Sequence, residues 1–208
     1  CFFCLLLKER MNPRVAVVIA LALVCAVACG KKVIPRKYPL YKQCDPYWGD
    51  TFMNGTRPDH DTICATGCAM TSLAMALGGH GLKVPGTDVL VDPDTLNRWL
   101  QRHDGYLCYG TNCNNLVLDA PERLFPGKVQ FLGEEQKPPV EEMIAAVQAQ
   151  NPAMIIHVNN NHHFVFVIGV ELPAAGNETI FYVHDPDSEN FVRTYGEISD
   201  IIRYTIKD

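Results

Sequence analysis

Long apolar runs, basic clusters, repeats and paired metal-ligand cysteines are all scarce in this sequence, and each shortage removes a class of function. The longest unbroken apolar run is Val15 to Ala28, fourteen residues, against the about 20 that a transmembrane helix needs. No basic run exceeds Lys31-Lys32 and the formal net charge is −5, which argues against nucleic acid as a partner. No C-x2-C pair accompanies Cys44, Cys64 and Cys68, so a zinc site built on those three lacks the usual ligand spacing. Neither repeats nor low-complexity segments occur. What remains is 208 residues of ordinary apolar content, about one domain's worth and enough to bury a core without staples.

The first residues read as a targeting segment. Met11, followed by Asn-Pro-Arg14, has the look of a start, and Ala26-Val27-Ala28 ends the apolar run as an A-x-A cleavage signal. Residues 1–28 are therefore expected to be signal peptide and upstream sequence, 29–37 a lead-in arm, and 38–208 the domain. Two alternatives are an uncleaved signal anchor and a lipoprotein processed at Cys29, for which Ala26 is a poor first lipobox residue. Loss of residues 1–28 removes Lys8, Arg10 and Arg14 against Glu9 and leaves a mature chain at −7. The expected location is secreted and extracellular.

Cysteine counting sharpens once that segment is gone. Of nine cysteines, Cys44, Cys64, Cys68, Cys108 and Cys113 remain beyond Cys29. An odd number in an oxidising compartment leaves one free thiol. If that thiol is Cys68, the other four are disulfide candidates. Cys108–Cys113 is the natural local pair and Cys44–Cys64 would brace the segment leading to Cys68, although four cysteines allow three pairings. Asn54-Gly55-Thr56 and Asn177-Glu178-Thr179 are glycosylation sequons.

Thr62 to Leu77 is the stretch that points to chemistry. Met70, Leu73, Ala74 and Leu77 recur at the spacing of one buried helical face. Thr66 and Gly67 suit a helix start and Gly78-Gly79 a helix end. Cys68 therefore falls on the first turn, where unpaired N–H groups and the positive dipole end stabilise an anion. A thiol so placed ionises more readily, and the thiolate is the nucleophile; the plain alternative is a small buried hydrophobe.

Further helices are expected at Pro93, capped by Asp92, and from Val140 to the Asn151-Pro152 break. Tyr38 to Gln43 and Val129 to Leu132 have strand-like residues, Cys44 to Asp61 and Gly105 to Asn115 read as loops, and strands follow at 154–158, 163–170, 179–184, Phe191-Val192 and 201–206. Helices first and antiparallel strands second make an α+β layout.

A cysteine nucleophile needs a base and the base an orienting group. His163 opens the most apolar strand, on the side of Val165 and Val167, and Asp185 follows the next strand. Antiparallel pairing of the two strands would return Asp185 close to His163. His162 and the more distant His157 rival the base, and Asp187 rivals the carboxylate. For the oxyanion, the candidates are the Cys68 N–H at its helix start and the Gln43 side-chain amide.

These stretches together resemble the peptidase C39-like family of papain-like cysteine peptidase domains. The resemblance rests on Gln43-Cys44-Asp45-Pro46-Tyr47-Trp48-Gly49, on Gly67-Cys68-Ala69-Met70-Thr71-Ser72-Leu73-Ala74-Met75, on 91–100 with Gly105-Tyr106, on 163–169 and on His184-Asp185-Pro186. It covers Tyr38 to the C-terminus in the papain-like order Gln, Cys, His, Asp. It implies a papain-like α+β fold, with the nucleophile at a helix start packed on a C-terminal antiparallel sheet. It also implies Gln43 as oxyanion donor, Cys68 as nucleophile, His163 as base and then acid, and Asp185 as orienter. Better-known relatives cut double-glycine leader peptides and are fused to transporters; with neither transporter spans nor an ATP-binding motif in this sequence, export-coupled processing is not implied. The expectation is a secreted cysteine hydrolase acting on a peptide or protein substrate through a thioester. It uses no cofactor and no metal, acts as a monomer, and has no stable membrane association unless lipidated at Cys29. An acyl transferase of the same fold and an inactive binding module are the alternatives.

Overall fold

The computed structural model describes residues 30–57, 59–172, 178–187, 193–195 and 197–208. Residues 1–29, with the expected signal segment and Cys29, lie outside the described residues, as do Phe191-Val192 and the Asn177 sequon. Five helices are described: α1 (Ile63–Thr66), α2 (Cys68–Gly79), α3 (Pro93–Arg102), α4 (Ala120–Leu124) and α5 (Val140–Ala149). The strands are β1 (Lys31–Val33), β2 (Tyr106–Tyr109), β3 (Asn112–Leu116), β4 (Val129–Gln136), β5 (Ala153–Val158), β6 (His163–Leu172), β7 (Ile180–His184), β8 (Arg193–Thr194) and β9 (Asp200–Ile206). Among the described residues no helix is long and apolar enough to cross a membrane.

Seven strands form one sheet in the order β4-β9-β5-β6-β7-β8, with β1 added to β6. Every pairing in it is antiparallel, so helices and an antiparallel sheet make up the α+β layout. The lead-in residues are thus partly strand: Lys31 to Val33 pair with Leu172 to Val170. Gly169 makes room for the arm, since a Cβ there would lie 2.7 Å from both the Val33 carbonyl and Ile34 Cγ1.

Alternation on the strands builds two cores, one on each face. Ile155, Phe166, Ile168, Ile202, Tyr204 and Ile206 pack with α2. Met154, Ile156, Val165, Val167, Phe181, Val183 and Ile201 pack with Met143, Ala146 and Val147 of α5. One helix therefore covers the face opposite α2, a placement not expected from the order of elements. Helix α2 is buried from Met70 to Gly78 without a break, because the sheet covers one side while α3 and the preceding loops cover the rest. A helix apolar all round is one enclosed all round. Full burial of Met70, Leu73, Met75 and Leu77 contributes roughly 1.5–3 kcal/mol for each side chain, and Leu73→Ala would cost about 2–5 kcal/mol.

Three local expectations change. Tyr38 to Gln43 is irregular chain rather than strand: Tyr38 is buried against Phe166, edge to face at 4.8 Å, and the backbone of Gln43 bonds to a turn rather than a strand. The Gly105 to Asn115 stretch is a hairpin, β2 paired with β3 and closed by the Cys108–Cys113 disulfide. Cys64 lies in a short helix, α1, not a loop. The start of α3 follows its residues closely: Asp92 accepts from the Thr95 N–H, Thr95 answers, and Pro93 opens the helix.

Candidate active site

Cys68 is set by a tight junction of two helices. Thr62 caps α1 by accepting from the Ala65 N–H. Gly67 both closes α1, donating to the Ile63 carbonyl at 2.8 Å, and caps α2. A Cβ on Gly67 would stand 2.4 Å from that carbonyl and 2.8 Å from Ile63 Cγ2, so a side chain there would push the helix start away. Cys68 is then the first residue of α2, half-buried and a free thiol. Its N–H belongs to the helix-start set that has no acceptor within the helix.

The loop before α1 is fixed by buried polar contacts. Asp61 accepts from the Arg57 backbone and guanidinium and from Asn114 Nδ2. Asn114 also receives the Asn54 N–H, so hairpin β2–β3 is joined to the segment that leads to Cys68. Asn54 itself is exposed, as a glycosylation acceptor must be.

His163 and Asp185 arrive on neighbouring strands. In the β6–β7 register Phe166 faces His184, which brings the residue after β7 to the first residue of β6. His163 Nε2 and Asp185 Oδ1 lie 2.7 Å apart. Asp185 is 1% exposed and its carboxylate also accepts from the Asp187 N–H at 2.9 Å and the Tyr195 hydroxyl at 2.6 Å. The Cys68 side chain acts on the same ring and helps to raise its pKa. With Nε2 engaged by Asp185, Nδ1 is the nitrogen left for sulfur.

The pair meets around the end of the sheet. Val165 and Val167, on the row of His163, pack towards α5, whereas Cys68 begins the helix on the other face. Only the first residue of a strand can reach across in this way. Ser72, one turn into α2, fixes the approach by donating to the Phe164 carbonyl at 3.2 Å.

Charge follows from these contacts. Burial drives the His163 pKa down, but hydrogen bonds to Asp185 and Cys68 and the charges of both outweigh it, and the ring is pushed up to about 9. Burial drives the Asp185 carboxyl up, but donation from His163, Tyr195 and the Asp187 N–H, with the His163 charge, brings it down to about 2. Near neutral pH the two form a charged pair.

Gln43 is 7% exposed and held from two sides. Its N–H donates to the Pro186 carbonyl at 2.8 Å, next to Asp185, and Nε2 donates to the Cys64 carbonyl at 2.6 Å. The Cys44–Cys64 disulfide ties the residue after Gln43 to that same acceptor. Reversing the amide would set two carbonyls against each other, so the orientation is defined, and the second Nε2 hydrogen is not used by Cys64. Oε1 is buried with no partner among the described residues.

Of the rivals, His162 and Asp187 are exposed, and His157 stacks on Phe164 with its Nδ1 3.7 Å from Asp200. Sequence reasoning missed Tyr195 and Ser72. An isolated tyrosine after a short strand carries no pattern, whereas Ser72, a small hydroxyl on a helix face otherwise apolar, was a readable sign of a buried hydrogen bond.

A family model described as the Peptidase_C39 like family matches residues 36–202, and the chain belongs to that family. Neither curated proteins nor solved structures give a match.

Proposed function

We propose that this C39-like domain is a cysteine peptidase with a papain-like arrangement, in which Cys68 is the nucleophile, His163 the base and then the acid, Asp185 the orienting group and Gln43 the oxyanion donor. The observation that carries the reading is the 2.7 Å hydrogen bond between His163 and the buried Asp185, on a ring that also responds to the Cys68 side chain. The family match supports a peptide or protein substrate.

The steps follow from the geometry. The thiol proton rests on His163, so the thiolate stands beside an imidazolium backed by a carboxylate. Sulfur attacks the carbonyl carbon of a peptide bond, and the carbonyl electrons move to oxygen. The Cys68 N–H and the Gln43 amide donate to that oxyanion. Collapse expels the amine, which takes the proton from His163, and leaves a thioester. His163 then accepts a proton from water as the water attacks the thioester; the acid is released and the thiolate is restored.

Disulfides at Cys44–Cys64 and Cys108–Cys113 suit an oxidising compartment. They support a secreted protein whose residues 1–28 are a signal segment, 29–37 a lead-in arm and 38–208 the working domain.

The test is iodoacetamide labelling at about pH 6, where ordinary thiols of pKa near 8.5 react slowly, mapped by peptide mass spectrometry and paired with hydrolysis of a quenched peptide library. Fast labelling confined to Cys68, lost in His163→Ala, with library cleavage lost in Cys68→Ala, is the expected result. Equal cleavage by wild type and Cys68→Ala ends the reading. Trapping of the acyl group by an added amine in preference to water would move the activity to acyl transfer.

A further inference from the structure

Asp185 is a buried carboxylate whose two oxygens are treated differently. Oδ1 accepts from the His163 ring at 2.7 Å and from the Asp187 N–H at 2.9 Å. Oδ2 accepts from the Tyr195 hydroxyl at 2.6 Å. A carboxylate gripped only through Oδ1 can rotate about its Cβ–Cγ bond and offer His163 a poorer lone pair; a donor on Oδ2 stops that rotation. The donor is itself well placed. The Tyr195 ring packs against the α5-side core, and shortly after it Ile198 enters that core while the Ser199 N–H bonds to the His157 carbonyl. The phenol is therefore held from the sheet and from the core, independently of His163.

We propose that Tyr195 is a positioning residue of the site: by donating to Oδ2 it fixes the Asp185 carboxylate so that Oδ1 is aimed at His163 Nε2, and through it sets the reactivity of Cys68. The inference rests on the reading of Cys68, His163 and Asp185 as one unit. Among the described residues, the His163 ring from β6 and the Tyr195 phenol after β8 face Asp185, with Cys68 of α2 beyond the ring. The phenol donation adds to the forces that keep Asp185 ionised, the carboxyl lying at about 2.

Tyr195→Phe keeps the ring in the core and removes only the hydroxyl. In the full chain, the iodoacetamide labelling rate of Cys68 at pH 6 is expected to fall about tenfold, the scale of one hydrogen bond to a charged group. The downfield proton resonance of the His163 Nε2–H is expected to broaden or move upfield, while thermal unfolding stays close to wild type. The deciding comparison is a double-mutant cycle. In an Asp185→Ala background, Tyr195→Phe should cost nothing further, because the group it acts through is gone. An unchanged labelling rate and an unchanged resonance in Tyr195→Phe would overturn the proposal, and so would an equal loss in the Asp185→Ala background, which marks a packing role. Labelling needs no peptide substrate, so failure of the peptidase reading shows as absent hydrolysis with the cycle intact, and failure of this proposal shows as an additive cycle.

Discussion

Gln43 lies on a loop and Cys68 at a helix start, in a region closed by a covalent bond, whereas His163 and Asp185 lie at the ends of adjacent strands closed by backbone pairing. The first region has little regular structure from 34 to 62. It is held by Cys44–Cys64, by polar contacts around Asp61, and by side chains that bond to carbonyls, such as Gln43 to Cys64 and Trp48 Nε1 to Lys42. The second region needs no such devices, because a register that pairs Phe166 with His184 fixes the neighbours of both residues at once. Gln43 and Cys68 are thus set by cross-linking, while His163 and Asp185 are set by alternation.

The largest expected effect comes from removing the sheet-borne base. His163→Ala should lower the labelling rate of Cys68 at pH 6 by about 100-fold or more, the range for loss of a positioned base. Retained fast labelling would mean that the helix start alone activates the thiol and that the sheet contributes no chemistry.

Next comes the covalent brace. Cys44 and Cys64 are 20 residues apart and Cys108 and Cys113 only 5, so loop entropy predicts unequal losses. Cys44→Ser with Cys64→Ser should cost about 3 kcal/mol in urea unfolding, and Cys108→Ser with Cys113→Ser about 2 kcal/mol. Only the first pair adjoins Gln43, so only the first should also lower turnover at saturating peptide. Equal effects of the two pairs on turnover would erase the distinction between the regions.

The charged pair makes stability depend on pH. For His163 the folded value is raised from 6.5 to about 9, so its stabilisation is complete below pH 6.5 and is lost as pH rises through 9. For Asp185 the folded value is lowered from 3.8 to about 2, so its stabilisation is present above pH 3.8 and is lost as pH falls through 2. Unfolding temperature measured from pH 5 to 10 should fall on the alkaline side in wild type and fall less there in His163→Ala. Parallel curves would assign the alkaline loss to other groups.

The smallest effect belongs to the join between regions. Ser72→Ala removes a buried donor to the Phe164 carbonyl and should cost about 1 kcal/mol, with a few-fold loss in Cys68 labelling. A stability loss without any labelling loss would show that the helix is positioned by packing alone.

Legibility divided along the same line. The start of α2 at Cys68, the capped start of α3 and the strands that carry His163 and Asp185 could be read, because periodicity and caps are local. The antiparallel return of Asp185 towards His163 followed from two consecutive strands. The irregular path of Tyr38 to Gln43 was not readable: its strand-like residues serve a core contact between Tyr38 and Phe166, and tertiary packing overrode propensity. Hairpin β2–β3 was hidden by Asn112, Asn114 and Asn115, polar residues that serve bonds to its neighbours. Tyr195 was illegible because its meaning lies in one contact with a residue ten positions earlier.

Strand β9 lies between β4 and β5, although it is formed by the last residues of the sheet, Asp200–Ile206. A ribosome delivers these residues after every other strand of the sheet, so β4 has no partner for its ladder until those strands have all been made. Ile202, Tyr204 and Ile206, which complete the core beneath α2, come equally late. The helix that carries the thiol thus cannot settle on a finished floor until β9 has been made. This order of assembly delays the joining of Cys68 to His163 and Asp185 until the last strand of the sheet has been added.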